Sequence, residues 1–326
     1  MKSLKQLLKP ALAALAVASA TAFPCAWAEQ FPNKPVTLVV AAAAGGSSDI
    51  TARALAAGLQ EKWKQPVVVD NRAGANGLIA AQMLMKSPAN GYTLMLGSIG
   101  QMMLNPIQHG PQYEPSKAYT MVGQVSTTYM VMVAAPSAPY STLREYVEFA
   151  KKNPGKGTFS SSGTGSLMHI AGESIRQQSG AIMTHVPYKG EAPALVDLTS
   201  GTVAAGFVVA GTAVPLVTAG KLKALAVSDR KRAEELPNVP TALEQGFQVD
   251  MPVWNGIVAP ADLDAKLVDQ INRDMNEVLK SPALQEQLKK IGIRAAPTSA
   301  GDFAKYVAEQ SNEWQRLIKD GGISFQ

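Results

Sequence analysis

Two short glycine-and-serine stretches have the residue types to hold an anion: Gly45-Gly46-Ser47-Ser48-Asp49 and Ser160-Ser161-Ser162-Gly163-Thr164-Gly165-Ser166. Each lies between an apolar strand pattern and a helical one. That order gathers unpaired backbone N–H groups, hydroxyls and a positive helix end in one loop, which suits a carboxylate. Plainer explanations stand beside this one. In the first loop a glycine turn followed by a Ser or Asp N-cap accounts for the same residues. In the second, Ser166 can simply cap the next helix, whereas Gly163 and Gly165 allow a ligand close to the backbone. A third segment, Pro187-Tyr188-Lys189-Gly190-Glu191-Ala192, also runs into a helix start. There Lys189 is either a cation for a carboxylate or a solvated surface lysine, and Glu191 suits the positive end of a helix.

Other chemistries find little support. Gly163-Thr164-Gly165 opens like a dinucleotide fingerprint, but His169 and Ile170 stand where a third glycine is needed. There is no P-loop, no G-x-S-x-G elbow and no H-E-x-x-H. Only three histidines occur, His109, His169 and His185, too scattered for a metal site. Ser166 and His169 form an i,i+3 pair without an orienting carboxylate, a capping contact more readily than a catalytic one. Asp70-Asn71-Arg72 reads as a turn with a salt bridge, and Trp254 as either a cleft wall or a packing aromatic. The single cysteine, Cys25, lies in the leader, so no disulfide or catalytic thiol is expected.

The elements that would position these loops follow from the pattern. Residues 1–28 read as a signal peptide: Lys2, Lys5 and Lys9, an apolar run, then Ala26-Trp27-Ala28 as a cleavage site. Those three lysines supply part of the formal +5 charge, and no polybasic nucleic-acid surface remains. Strands are expected over 35–44, 66–70 and 92–97, with a helix over 50–64, the alternation of a parallel α/β sheet. The same order restarts with helix 141–152, strand 157–162, helix 167–178, strand 185–188, helix 193–200 and strands 203–209 and 222–227. The last third is helical. Leu263, Leu267, Ile271, Met275 and Leu279 share one face, and Ser299 with Asp302 forms a capping box for a final helix that Gly321-Gly322 ends. Two sheets with ligand-capable loops imply two lobes around a cleft. The helical tail should return to the first lobe, giving lobe 1 over 29–126 plus 250–326 and lobe 2 over 127–249. The chain then crosses near 124–129 and 248–254, as in a hinge-bending clamp.

In this order the segments resemble a known family, the Bug receptors, periplasmic substrate-binding proteins of tripartite tricarboxylate transporters. The resemblance rests on Pro35-Val36-Thr37-Leu38-Val39-Val40 leading into Gly45–Asp49, on Pro66-Val67-Val68-Val69-Asp70-Asn71-Arg72-Ala73-Gly74-Ala75, and on Gly91-Tyr92-Thr93-Leu94. It continues through Gly163-Thr164-Gly165-Ser166 with His169 and Ala171, His185-Val186-Pro187-Tyr188-Lys189-Gly190, residues 221–227 and Leu236-Pro237-Asn238-Val239-Pro240-Thr241. The resemblance implies a two-lobed α/β periplasmic binding protein of Venus-flytrap, type II-like form. Such a protein captures a small organic carboxylate and delivers it to an inner-membrane permease, as a monomer, without cofactor, metal or catalysis. Carried over by position, the ligand contacts are Gly46, Ser47, Ser48 and Asp49, with Ser98, on lobe 1. On lobe 2 they are Ser162, Thr164, Gly165, Ser166 and His169, then Tyr188, Lys189, Gly190 and Ala192, and finally Phe207 and Val208. Two residues depart from the family. Val208 stands where an aspartate is frequent, which argues for a ligand with an apolar or aromatic distal part. Glu191 stands where a small residue is usual, which argues against a second negative ligand group. An exported serine hydrolase using Ser166 and His169, or a carboxylate sensor for a signalling partner, are the alternative functions.

Overall fold

The structure, a computed structural model, describes residues 31–320; the leader and the Gly321-Gly322 stop lie outside the described residues. In chain order, β1 (Val36–Val40) leads to α1 (Ser47–Trp63), β2 (Val67–Asn71), α2 (Leu78–Met85) and β3 (Thr93–Ser98). After short helical turns come β4 (Tyr119–Thr128), β5 (Met130–Ala134), α3 (Leu143–Lys152), β6 (Thr158–Ser161) and α4 (Leu167–Ser179). Next are β7 (Thr184–Pro187), α5 (Glu191–Ser200), β8 (Ala205–Val209), α6 (Ala210–Thr218) and β9 (Lys223–Val227). The chain closes with β10 (Val253–Pro260), α7 (Ala265–Leu279), α8 (Pro282–Lys289), β11 (Arg294–Ala295) and α9 (Ala300–Asp320).

The strands make two sheets, ordered β11-β4-β10-β3-β1-β2 and β7-β6-β8-β5-β9. In the first, β1 pairs in parallel with β2 and β3. In the second, β6 pairs in parallel with β7 and β8. In β1, Val36, Leu38, Val39 and Val40 are all buried, the continuous apolar run expected of a parallel strand covered on both faces. Tyr129 alone separates β4 of the first sheet from β5 of the second, and the chain returns between Val227 and Val253. The carboxyl ends of β1, β3, β6 and β7 carry the loops singled out above.

The helical tail rejoins the first sheet. Trp254 is fully buried, with the Phe303 and Tyr306 rings edge-on at 5.6 and 5.7 Å. It is therefore a packing aromatic, and its neighbours Val253 and Asn255 face the cleft instead. Trp63 Nε1 donates to Asp274 at 2.7 Å, tying α1 to α7. The Ser299–Asp302 capping box forms, with Asp302 N donating to Ser299 Oγ at 3.0 Å.

Three helix starts differ from expectation. Thr142, not Ser141, caps α3, accepting from Glu145 N at 3.2 Å, while Glu145 reaches back to Ser141 N. The α1 helix begins at Ser47 because Gly46 takes the extended N-cap conformation. The α5 helix begins at Glu191, not Pro193, because Gly190 at φ 114° ends the preceding loop.

Candidate ligand site

Between the two sheets lies a cavity of about 430 Å³. Gly46, Ser47, Ser48 and Ser98 line it from the first sheet; Ser162, Thr164, Ser166, Tyr188, Lys189 and Gly190 line it from the second. Two helices start at this wall without a side-chain cap. The N-cap of α1 is Gly46 and that of α5 is Gly190, and neither helix start has a side-chain acceptor. Their first-turn N–H groups are left for a ligand or water. The start of α5 also approaches the loop that precedes α1, since a Cβ on Gly190 would lie 3.3 Å from that of Ala43. Among the lining residues only Lys189 is cationic, and it makes no hydrogen bond or ion pair among the described residues. The Ser47 hydroxyl is buried and unpartnered beside this wall.

Six expected ligand residues do not border the cavity. Asp49 is turned into its own loop, where it accepts from Gly45 N at 2.9 Å and Arg53 Nε at 3.0 Å. Burial pushes its carboxyl up, but Arg53, Gly45 and Asn71 outweigh that and hold it below the usual range. Gly165 points its carbonyl across the cleft, where Asn76 Nδ2 and Gln108 Nε2 each donate at 3.0 Å. A Cβ there would meet Gln108 at 2.6 Å, and φ is +74°, so glycine serves the contact between the halves. His169 stacks on His185 at 3.9 Å and accepts from Gly165 N through Nδ1 at 3.1 Å. Ala192 is half-buried in the first turn of α5 and does not reach the cavity wall. Phe207 and Val208 lie on opposite faces of β8, in separate apolar clusters. Val209, one position on, is the β8 residue that borders the cavity.

Ser166 and His169 are not arranged for nucleophilic chemistry. Ser166 Oγ accepts from the His169 backbone N at 3.3 Å, a helix cap, and the ring nitrogen Nδ1 is engaged by Gly165. Burial lowers the His169 pKa, and burial with the adjacent His169 pushes His185 down to about 4, so the stacked pair is neutral near pH 7. His185 Nε2 sits 2.6 Å from Ser161 Oγ, which also receives the Gly163 N–H at 3.1 Å. The pair therefore shapes the second loop from behind.

Several lining residues went unrecognised in the sequence. Residues 73–77 form a turn with φ of 45° at Ala75 and 50° at Asn76, flanked by positive-φ glycines. The composition Ala-Gly-Ala-Asn-Gly is a turn signal that could have found it. Asn255 is a buried amide on an otherwise apolar β10, within 3.4 Å of Ser48 Oγ and Ser126 Oγ. A lone amide in such a strand is the available clue. Leu96, Ile99, Met130, Leu167 and Met168 supply the apolar part of the wall. Glu191 also lines the cavity, although its carboxyl is buried and held by Thr212 Oγ1 and by Val209 N at 3.3 Å.

A sheet pair enclosing a cavity at the carboxyl ends of its parallel strands is the architecture of periplasmic solute-binding proteins. An R. palustris protein solved with adipate matches it at a TM-score of 0.85 and 31% identity, over 90% of this chain and 99% of that one. MatC from Rhodopseudomonas palustris with bound malate gives 0.82 and 26%, over 88% and 100%. BugT of Bordetella pertussis is 33% identical over 307 residues, 92% of this chain and 93% of BugT. Residues 51–323 match the model of the tripartite tricarboxylate transporter family receptor, and the chain belongs to that family.

Proposed function

We propose that this protein is an exported, non-enzymatic receptor that closes on a small organic carboxylate and presents it to the membrane permease of a tripartite tricarboxylate transporter. The observation that carries this reading is the convergence of two glycine-capped helix starts on one cavity beside Lys189. Free N–H groups at two positive helix ends favour an anion without an arginine clamp. Relatives holding adipate and malate support the same ligand class. In this reading residues 29–126 with 250–326 form one lobe and 127–249 the other, and they hinge at Tyr129 and in the return segment before Val253. Gly46, Ser47, Ser48 and Ser98 take one side of the ligand. Ser162, Thr164, Ser166, Tyr188, Lys189 and Gly190 take the other. Ser166, engaged as a helix cap, favours binding over hydrolysis. The protein acts as a monomer, and residues 1–28 direct export.

A thermal-shift screen against mono-, di- and tricarboxylates, aromatic ones included, tests this. A true ligand at a hundred times its Kd adds about 2.7 kcal/mol, a rise of a few degrees in Tm. If no carboxylate raises the Tm, the reading fails.

A further inference from the structure

Glu191 is the feature that the receptor reading leaves unused. It is one of only two charged residues on the cavity wall, the other being Lys189. Its carboxyl accepts from Thr212 Oγ1 and Val209 N, and no cation is bonded to it. Thr212 meets Oε1 and Val209 N meets Oε2, and neither contact requires a negative charge, since a neutral group that accepts from Val209 and donates to Thr212 would fill the place without the cost of burying an ion. Burial pushes this carboxyl up to about 7, with Thr212 and Val209 opposing.

Above that value the carboxyl is ionised, and its charge then bears on what enters. One ligand carboxylate can be met by the helix starts of α1 and α5 and by Lys189. A second carboxylate would find no further cation on the wall. It would instead share a wall with Glu191 whose remaining side chains are apolar (Leu96, Ile99, Met130) or neutral and polar (Asn76, Gln101, Asn255) and offer no countercharge. Like charges close together in such surroundings repel strongly.

We propose that Glu191 is a specificity residue that limits this receptor to ligands with a single carboxylate, rejecting dicarboxylates of the same length and shape. This rests on the carboxylate reading above and deepens it. The selection works by exclusion, an unpaired like charge set against the unwanted ligand.

The test is calorimetric binding at pH 8, where Glu191 is ionised, using matched pairs: hexanoate with adipate, and benzoate with terephthalate. The wild-type protein is expected to bind the monocarboxylate of at least one pair ten-fold or more tighter than its dicarboxylate partner. Glu191→Gln, whose Oε1 can still accept from Val209 N while its Nε2 donates to Thr212 Oγ1, should tighten the dicarboxylate about ten-fold and change the monocarboxylate less than three-fold. Wild-type protein that binds either dicarboxylate as tightly as its partner overturns the inference without any variant. A Glu191→Gln protein that binds with an unchanged ratio overturns it too, and leaves the carboxylate reading standing. If neither protein binds any of the four, this inference falls, while the carboxylate reading stands or falls on the wider thermal-shift screen.

Discussion

The starts of α1 and α5 are built alike and behave in opposite ways. Each is capped by a glycine, faces the same cavity and carries an acid in its first turn, Asp49 and Glu191. Asp49 turns away from the cavity onto Arg53 and the Gly45 N–H, and is held ionised. Glu191 folds against Thr212 on the cavity wall with no cation, and burial drives it toward the neutral form. The helix dipole favours a negative charge at both sites. The difference shows that the availability of a counter-ion decides how each acid titrates.

The largest consequence is for stability against pH. The Glu191 carboxyl has a folded pKa near 7 against a reference of 4.5, so the folded state holds its proton more tightly. This group's contribution is whole below about pH 4.5 and lost as pH rises through 7, up to about 3 kcal/mol by pH 8. Denaturant unfolding of the unliganded protein across pH 5–8 should show that decline, and Glu191→Gln should flatten it. Equal slopes in the two proteins would break the comparison. Next in size is Gly190→Ala. It places a side chain at φ 114° with its Cβ 3.3 Å from Ala43, and should cost about 2 kcal/mol and weaken carboxylate binding. The same exchange at Gly46, at φ −81° with the nearest atom 3.5 Å away, should cost far less, which two melting curves would show.

Asp49→Asn should cost about 1–2 kcal/mol at neutral pH, by removing the charge that fixes Arg53 and Gly45. Its sign is opposite to that of Glu191. A folded pKa held low gives stability above the reference 3.8 that is lost as pH falls through the folded value. Acid titration of the unfolding midpoint in the Asn variant should lack that component. The smallest effect on folding belongs to Lys189→Met. Its stability should stay within about 0.5 kcal/mol of wild type, while carboxylate affinity falls several-fold and loses part of its salt dependence.

How much of this was open to sequence reasoning depended on where the information sat. The strand–loop–helix order and the α7 stripe were legible, because periodicity and turn residues are local. The faces of β8 were not. The resemblance puts Val208 among the ligand contacts, and in a strand apolar on both sides period-two alternation gives no contrast to correct it, although Val209 is the residue that borders the cavity. Asp49 and His169 sit in motifs that look ligand-directed, and only the fold shows their side chains engaged behind the loops. Asn255, Gln101 and Asn76 arrive from three separate segments, which no local pattern brings together. Glu191 departs from the family pattern in the sequence itself, but its burial involves α6, whose Thr212 is twenty-one residues away.

The carbonyl of Gly165 has one more consequence. Both of its lone pairs are taken by amides from the opposite half, Asn76 and Gln108, and both donors are uncharged. Raising the ionic strength should therefore leave this contact between the two sides of the cavity nearly unchanged, while it weakens the pull of Lys189 on an anion.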